Sequence, residues 1–170
     1  AVTELWREKS LEDITLQEVA DRAGVTVQTV IRRFGSKEGL VEAAIASGET
    51  GVRDDQHDVP VGDIEQALDD ILAHYERDGA AVLRTLALED KLPAAKRLAD
   101  HGRQVHHDWC ARVFAPYLPT DDYDTYPVRL DAFVAVTDLY LWKLTRRDLG
   151  RTANQTRQVI SALLHALADH

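Results

Sequence analysis

The chain has 170 residues, 45% of them apolar, which is enough to bury a core and excludes wholesale disorder. Its formal net charge of −9, taken as an average, argues against a polyanionic partner. The single cysteine, Cys110, excludes a small secreted disulfide scaffold and points to a reducing, cytoplasmic setting, and no apolar run reaches the roughly 18 residues that a membrane-spanning helix needs.

Period-two alternation is almost absent, whereas helical spacing recurs throughout, so the expected fold is all-α. Ala1-Val2-Thr3-Glu4-Leu5-Trp6 enters a helix near 1–9 with no cap before it, and the N-terminus is therefore expected to be incomplete. Helices near 15–22, 26–33 and 37–52 follow, with Thr15, Thr26 and Ser36 as N-caps and Gly24 and Gly35 as stops. The polar stretch 54–62 (DDQHDVPVG), with Pro60, reads as a linker. Further helices are expected near 63–78, capped by Asp63 and ended by Gly79, and near 80–90. Those near 94–117 and 128–148 have Pro93 and Pro127 at their first turns, and the last, near 154–168, follows Gly150. The chain thus divides into a head, residues 1–45, and a larger helical unit, residues 46–170.

Residues 14–40 (ITLQEVADRAGVTVQTVIRRFGSKEGL) are the most specific part. Ile14, Val19 and Ala20 put apolar groups on one side of a short helix, and Gly24 can take the positive φ of a tight turn. Thr26 then caps a helix whose Val30 and Phe34 point to the core. Val27, Gln28, Thr29, Ile31 and Arg32 are left on the outer side, which describes a helix-turn-helix. Charge is distributed to match. Residues 22–37 carry Arg22, Arg32, Arg33 and Lys37 and no acid, whereas residues 54–170 sum to −7. A local +4 beside a helix-turn-helix is the pattern of duplex DNA binding.

With Trp6, Ile14-Thr15, Ala23-Gly24-Val25-Thr26, Thr29-Val30, Phe34 and Ser36-Lys37-Glu38-x-Leu40, residues 5–45 resemble the DNA-binding domain of the TetR family of bacterial transcriptional regulators. Two positions depart from the family pattern: Ile31 replaces a usual Tyr, and Arg33 a usual His or Tyr. The resemblance implies that Thr15 and Lys37, near helix starts, hold phosphates. It implies that Thr26, Val27, Gln28, Thr29, Ile31, Arg32 and Arg33 form the rest of the DNA face. Gln28 suits a bidentate pair with adenine, and Arg32 suits guanine or a phosphate. It further implies a C-terminal unit that binds effector and dimerises.

That unit offers candidates for both tasks. Helix 128–148 is apolar on almost every side, and 154–168 adds a second apolar helix, so burial by a second copy is expected. Leu141, Trp142, Leu144, Ile160, Leu163, Leu164 and Leu167 are the expected dimer interface. Tyr75, His106, Trp109, Cys110, Tyr117, Asp138 and Tyr140 are the candidate effector pocket, although residues such as His106, Cys110 and the aromatics at helical spacing are more often plain core. The histidines His101, His106 and His107 lack ligand spacing, and no phosphate loop or nucleophile motif appears, so no metal, cofactor or enzymatic activity is expected. The implied protein is a homodimeric repressor on a palindromic operator, released by a small molecule. The alternatives are an activator, an effector-independent regulator, or a helical enzyme or lipophile carrier with a vestigial head.

Overall fold

The computed structural model describes residues 1–47, 59–122 and 124–169, and among these all regular structure is helical. The helices are α1 (Val2–Glu8), α2 (Leu16–Ala23), α3 (Val27–Phe34), α4 (Lys37–Ser47), α5 (Ile64–Leu86), α6 (Pro93–Val113), α7 (Thr125–Thr137), α8 (Leu139–Lys143) and α9 (Ala153–Ala168). Two compact units divide the chain: Ala1–Asp54 with Asp78–Gln104, and Asp55–Arg77 with Val105–His170. This division does not follow a boundary at residue 45, because the segment 78–104 joins the head.

The packing of the first unit explains that difference. Leu5, Trp6, Leu11, Ile14, Val19, Leu40 and Val41 share one apolar cluster with Ala81, Leu88, Ala94 and Ala95. A buried side chain the size of Leu or Val contributes about 1.5–3 kcal/mol, and three short helices alone offer few of them. Polar bonds fix the register. The Trp6 indole donates to Thr85 Oγ1 at 2.8 Å, and Arg7 donates to the fully buried Asp78 carboxylate at 2.5 and 3.4 Å. Arg84 donates to the carbonyls of Trp6 and Arg7, which the last turn of α1 leaves without helical partners.

Gly79 does not end a helix. α5 runs through it without positive φ, since Asp78 and Thr85 on either side are already bonded to α1. Residues 48–52 of the expected helix 37–52, and 54–58 of the expected linker, lie outside the described residues. The described end of that linker is docked. Val59 is buried, its carbonyl accepts from Arg112, and the Gly62 N–H donates to Val113 O at 2.7 Å.

In the second unit Phe114 and Phe133 stack at 4.6 Å, and Leu68, Ile71, Trp142, Ile160 and Leu164 are fully buried. The expected helix 128–148 is broken. Asp138 is extended (φ −72°, ψ 150°), and its side chain caps α8 by accepting the Tyr140 N–H at 2.8 Å. A short carboxylate that bonds nearby backbone competes with the helix ladder, and here it interrupts the helix. A π-helical turn, Leu144–Asp148, follows. Gly150 then reverses the chain at φ 63°, and a capping box of Thr152 and Gln155 opens α9.

Candidate nucleic-acid interface

The head is built by local rules. Thr15 and Glu18 cap α2 reciprocally: Thr15 Oγ1 accepts the Glu18 N–H, and the Glu18 carboxylate accepts the Thr15 N–H at 2.9 Å. The bond from Lys9 holds the Glu18 carboxyl down to about 2, and the Thr15 N–H adds to this. Ala20 is completely buried, so nothing beyond a methyl separates α2 from the turn, and Gly24 adopts φ 67° as the Val25 N–H reaches Ala20 O. Thr26 caps α3 through the Thr29 N–H.

α3 buries Val30 and half-buries Phe34 against the head. Its opposite side presents Gln28, Ile31, Arg32 and Arg33 to solvent, flanked by half-buried Val27 and Thr29. Ile31, 47% exposed, is an apolar side chain with no core to fill. The Arg33 guanidinium lies 5.4 Å from the Phe34 ring, which orients it without neutralising it. Behind α3 the chain turns so tightly that a Cβ on Gly39 would lie 2.0 Å from Phe34 O.

Two of the cations are hydrogen-bonded within the head. Arg22 pairs with Glu8, at 2.8 Å through both of its terminal nitrogens, and approaches Glu4 at 3.5 Å, so its charge is spoken for within the head. Lys37, expected at a phosphate, directs its ammonium to Leu11 O at 2.9 Å and Glu12 O at 2.8 Å. Of the four, Arg22 is paired with carboxylates, Lys37 keeps its charge against neutral carbonyls, and Arg32 and Arg33 face solvent. Gly39 and the Thr85–Asp78 anchor were not legible as functional positions. Glu4 and Glu8, four residues apart on one helix face, were a visible signal for a cation partner.

The effector candidates fall into two groups. Tyr75, His106, Trp109 and Cys110 are buried, and most of them converge on Thr137, which the sequence did not single out. Tyr75 Oη donates to Thr137 O at 2.9 Å, a carbonyl at the break between α7 and α8. Thr137 Oγ1 donates to Phe133 O, so His106 Nε2, 2.9 Å away, is the donor to Thr137. Cys110 Sγ lies 3.4 Å from the same oxygen. His106 Nδ1 then faces Asp138 at 4.0 Å. Burial nevertheless holds the imidazole down to about 4, against the pull of Asp138. Trp109 stacks on His106 with its buried Nε1–H unpartnered among the described residues.

Asp138 borders that cluster through His106, whereas Tyr140 and Tyr117 do not join it. Tyr140 is 57% exposed, because the Asp138 break turns it outward, and Tyr117 donates to Gly62 O. A groove of about 220 Å³ in the same unit lies elsewhere, lined by Asp69, Leu72, Ala73 and Glu76 of α5 and Ala153, Asn154, Thr156 and Arg157 of α9. Of the expected dimer residues, Trp142, Ile160 and Leu164 are interior, since α7, α8 and α9 bury them against their own unit. Leu141 and Leu167 are half-buried, and Leu144 and Leu163 are exposed.

No helix among the described residues is long and apolar enough to cross a membrane. Residues 1–44 match the family model described as bacterial regulatory proteins, tetR family. No curated protein and no solved structure matches the chain. That match lies over a capped α2, a left-handed glycine turn and an outward-facing α3, so residues 1–44 are similar in sequence and in helix-turn-helix geometry to the DNA-binding domain of tetR family regulators.

Proposed function

We propose that this chain is a TetR-type transcriptional regulator, a cytoplasmic homodimeric repressor that reads a palindromic operator through α3 and is released by a small molecule. The observation that carries the proposal is the outer face of α3, where Gln28, Ile31, Arg32 and Arg33 are exposed together with no carboxylate among them. Gln28 pairs with adenine, Arg32 takes guanine or a phosphate, and Arg33 takes a phosphate. Ile31, with Val27 beside it, meets thymine methyls. Thr26 and Thr29 are tied to each other at 3.0 Å and shape the start of the reading helix, and Thr15 sets the phosphate-facing start of α2.

Two observations support the finer parts. Exposed Val128 on α7 and Val159 and Leu163 on α9 leave apolar side chains on two helices that pack side by side. With Leu144, they are suited to an isologous contact with a second copy. The unpartnered Trp109 N–H beside His106 suits an effector that supplies a hydrogen-bond acceptor. Binding preferentially to one of two conformations, such a ligand lowers operator affinity.

Enrichment from a random duplex library tests the reading. The expected product is a palindrome with half-site centres about 34–36 Å or more apart. Gln28→Ala should relax preference at one base pair by about 1–3 kcal/mol, roughly 5- to 150-fold. Recovery of no preferred sequence refutes the proposal.

A further inference from the structure

Helix α1 has only 7 residues, yet it is fastened on two sides within the first unit. Toward α5, the Trp6 indole donates to Thr85 Oγ1 at 2.8 Å, and Arg7 pairs with the fully buried Asp78 carboxylate. Arg84 adds bonds to Trp6 O and Arg7 O at 3.0 and 2.9 Å. Toward α2, the Glu8 carboxylate accepts from both terminal nitrogens of Arg22 at 2.8 Å, with Glu4 at 3.5 Å from the same guanidinium. Glu4 and Glu8 share one face of α1, and Trp6 stands about half a turn around the axis from them. Arg22 lies in the last turn of α2, two residues before the φ 67° Gly24 that leads into α3. A guanidinium held by a carboxylate through two parallel bonds fixes orientation as well as distance. Thus α1 grips α2 at the end nearest the reading helix and is itself seated on α5.

We infer that Thr85 and Arg22 are positioning residues for operator binding that act in series through α1. Thr85 sets the seat of α1 on α5, and α1, through Glu4 and Glu8, sets the orientation of α2 and of the reading helix after it. The inference rests on the DNA-binding reading above and adds to it two residues outside the α3 face. Apolar burial of Leu5 and Trp6 holds α1 against the head but is non-directional, so it does not fix rotation about the helix axis. The directional bonds do. The buried Trp6 N–H has Thr85 Oγ1 as its acceptor, and losing that acceptor favours a rotated seat in which the donor is satisfied again. Thr85 is buried and uncharged, so any effect it has on DNA passes through the side chain it holds. Base-edge contacts from α3 are sensitive to such a rotation, because hydrogen bonds weaken steeply as they bend.

The test uses the full chain and the enriched duplex, with affinity measured against salt where circular dichroism finds every variant folded. Thr85→Val keeps the side-chain shape and removes the hydroxyl, and Arg22→Met keeps the length and removes the charge. The Thr85→Val/Arg22→Met pair, Arg22→Glu and the charge swap Glu8→Arg/Arg22→Glu complete the set. Serial action predicts that Thr85→Val loses affinity by about threefold or more with the wild-type salt slope. The pair should lose less than the product of the single losses, because both changes loosen one route. The swap should bind about threefold or more tighter than Arg22→Glu, since it restores the ion pair in reverse. Wild-type affinity in Thr85→Val, or losses that multiply, overturns the inference. So does a swap no better than Arg22→Glu with a slope about one unit flatter, which would make Arg22 a direct phosphate contact. Amide exchange without DNA reads the series independently. Thr85→Val should quicken exchange in α1 and also at 23–25, and should add nothing at 23–25 once Arg22→Met is present. If wild type selects no duplex, the DNA-binding reading fails while exchange still decides the series. Quickening confined to α1 and α5 refutes it.

Discussion

Two helical glycines in the first unit should respond to alanine with opposite signs. Gly39 is the third residue of α4 and Gly102 lies within α6, and neither has positive φ. By propensity alone, each substitution should stabilise by about 0.5–1 kcal/mol. A Cβ on Gly102 meets no heavy atom within 4 Å, so Gly102→Ala should realise that gain. On Gly39 the same atom would lie 2.0 Å from Phe34 O and 3.1 Å from Phe34 C, more than 1 Å inside van der Waals contact. The obstacle is backbone and is held, since Phe34 O accepts the Ser36 N–H at 2.8 Å and the next residue is the φ 74° Gly35. Overpacking costs about 1–3 kcal/mol, and a clash this deep with held backbone falls in the upper part, about 2–3 kcal/mol, so the net loss for Gly39→Ala is about 1–2 kcal/mol and the two variants should differ by about 2–3 kcal/mol. Urea unfolding followed by circular dichroism measures this as opposite shifts in midpoint at constant m. Because the displaced carbonyl ends α3, Gly39→Ala should also weaken operator binding. If Gly39→Ala proves as stable as wild type, the tight turn is not as described.

His106 should make the protein acid-labile. Burial lowers its folded value to about 4 from an ordinary 6.5, with His74 and His107 adding to the lowering and Asp138 opposing it. Between those values the unfolded chain binds more protons than the folded one, so stability falls as pH drops from about 6.5 to about 4. His106→Gln should flatten that part of the profile, and an unchanged slope would assign it to other groups. Cys110, completely buried and with its thiol pushed up to about 12 by desolvation, should react with a thiol reagent only after denaturation; rapid native labelling would contradict its burial. Arg7→Ala weakens the pairing of a carboxylate with no solvent exposure. Since Arg7 itself is 37% exposed, the expected loss is discounted from the buried-pair value to about 2 kcal/mol, and urea unfolding showing under about 0.5 kcal/mol would mean that Asp78 is solvated or otherwise held. On the proposed homodimer, Leu163→Glu should shift sedimentation to the monomer without unfolding the protomer, because Leu163 is 41% exposed, whereas Leu164→Glu should unfold it; a Leu163→Glu variant that sediments as wild type would place the contact elsewhere.

What the sequence determined by itself is local. Thr15, Thr26 and Asp63 cap the helices expected of them, and Gly24, Gly35 and Gly150 take positive φ at the expected ends, because cap and turn chemistry acts over three or four residues. The helix-turn-helix was legible for the same reason. Apolar periodicity identified Trp142, Ile160 and Leu164 as buried but could not name what buries them, and their own unit proved to do so. Gly79 and Asp138 show the same limit from the other side. A glycine that permits a stop was carried through by bonds to α1, and an aspartate inside an apolar run broke its helix where the Tyr75 hydroxyl was ready to take Thr137 O. Tertiary structure alone decided which of the cations in residues 22–37 are neutralised within the head. The +4 read from residues 22–37 is a sum over the chain. Folding pairs Arg22 with Glu8, turns the Lys37 ammonium to two neutral carbonyls that leave its charge in place, and leaves Arg32 and Arg33 facing outward, because a cation's partner is set by distance in space and not by position in sequence.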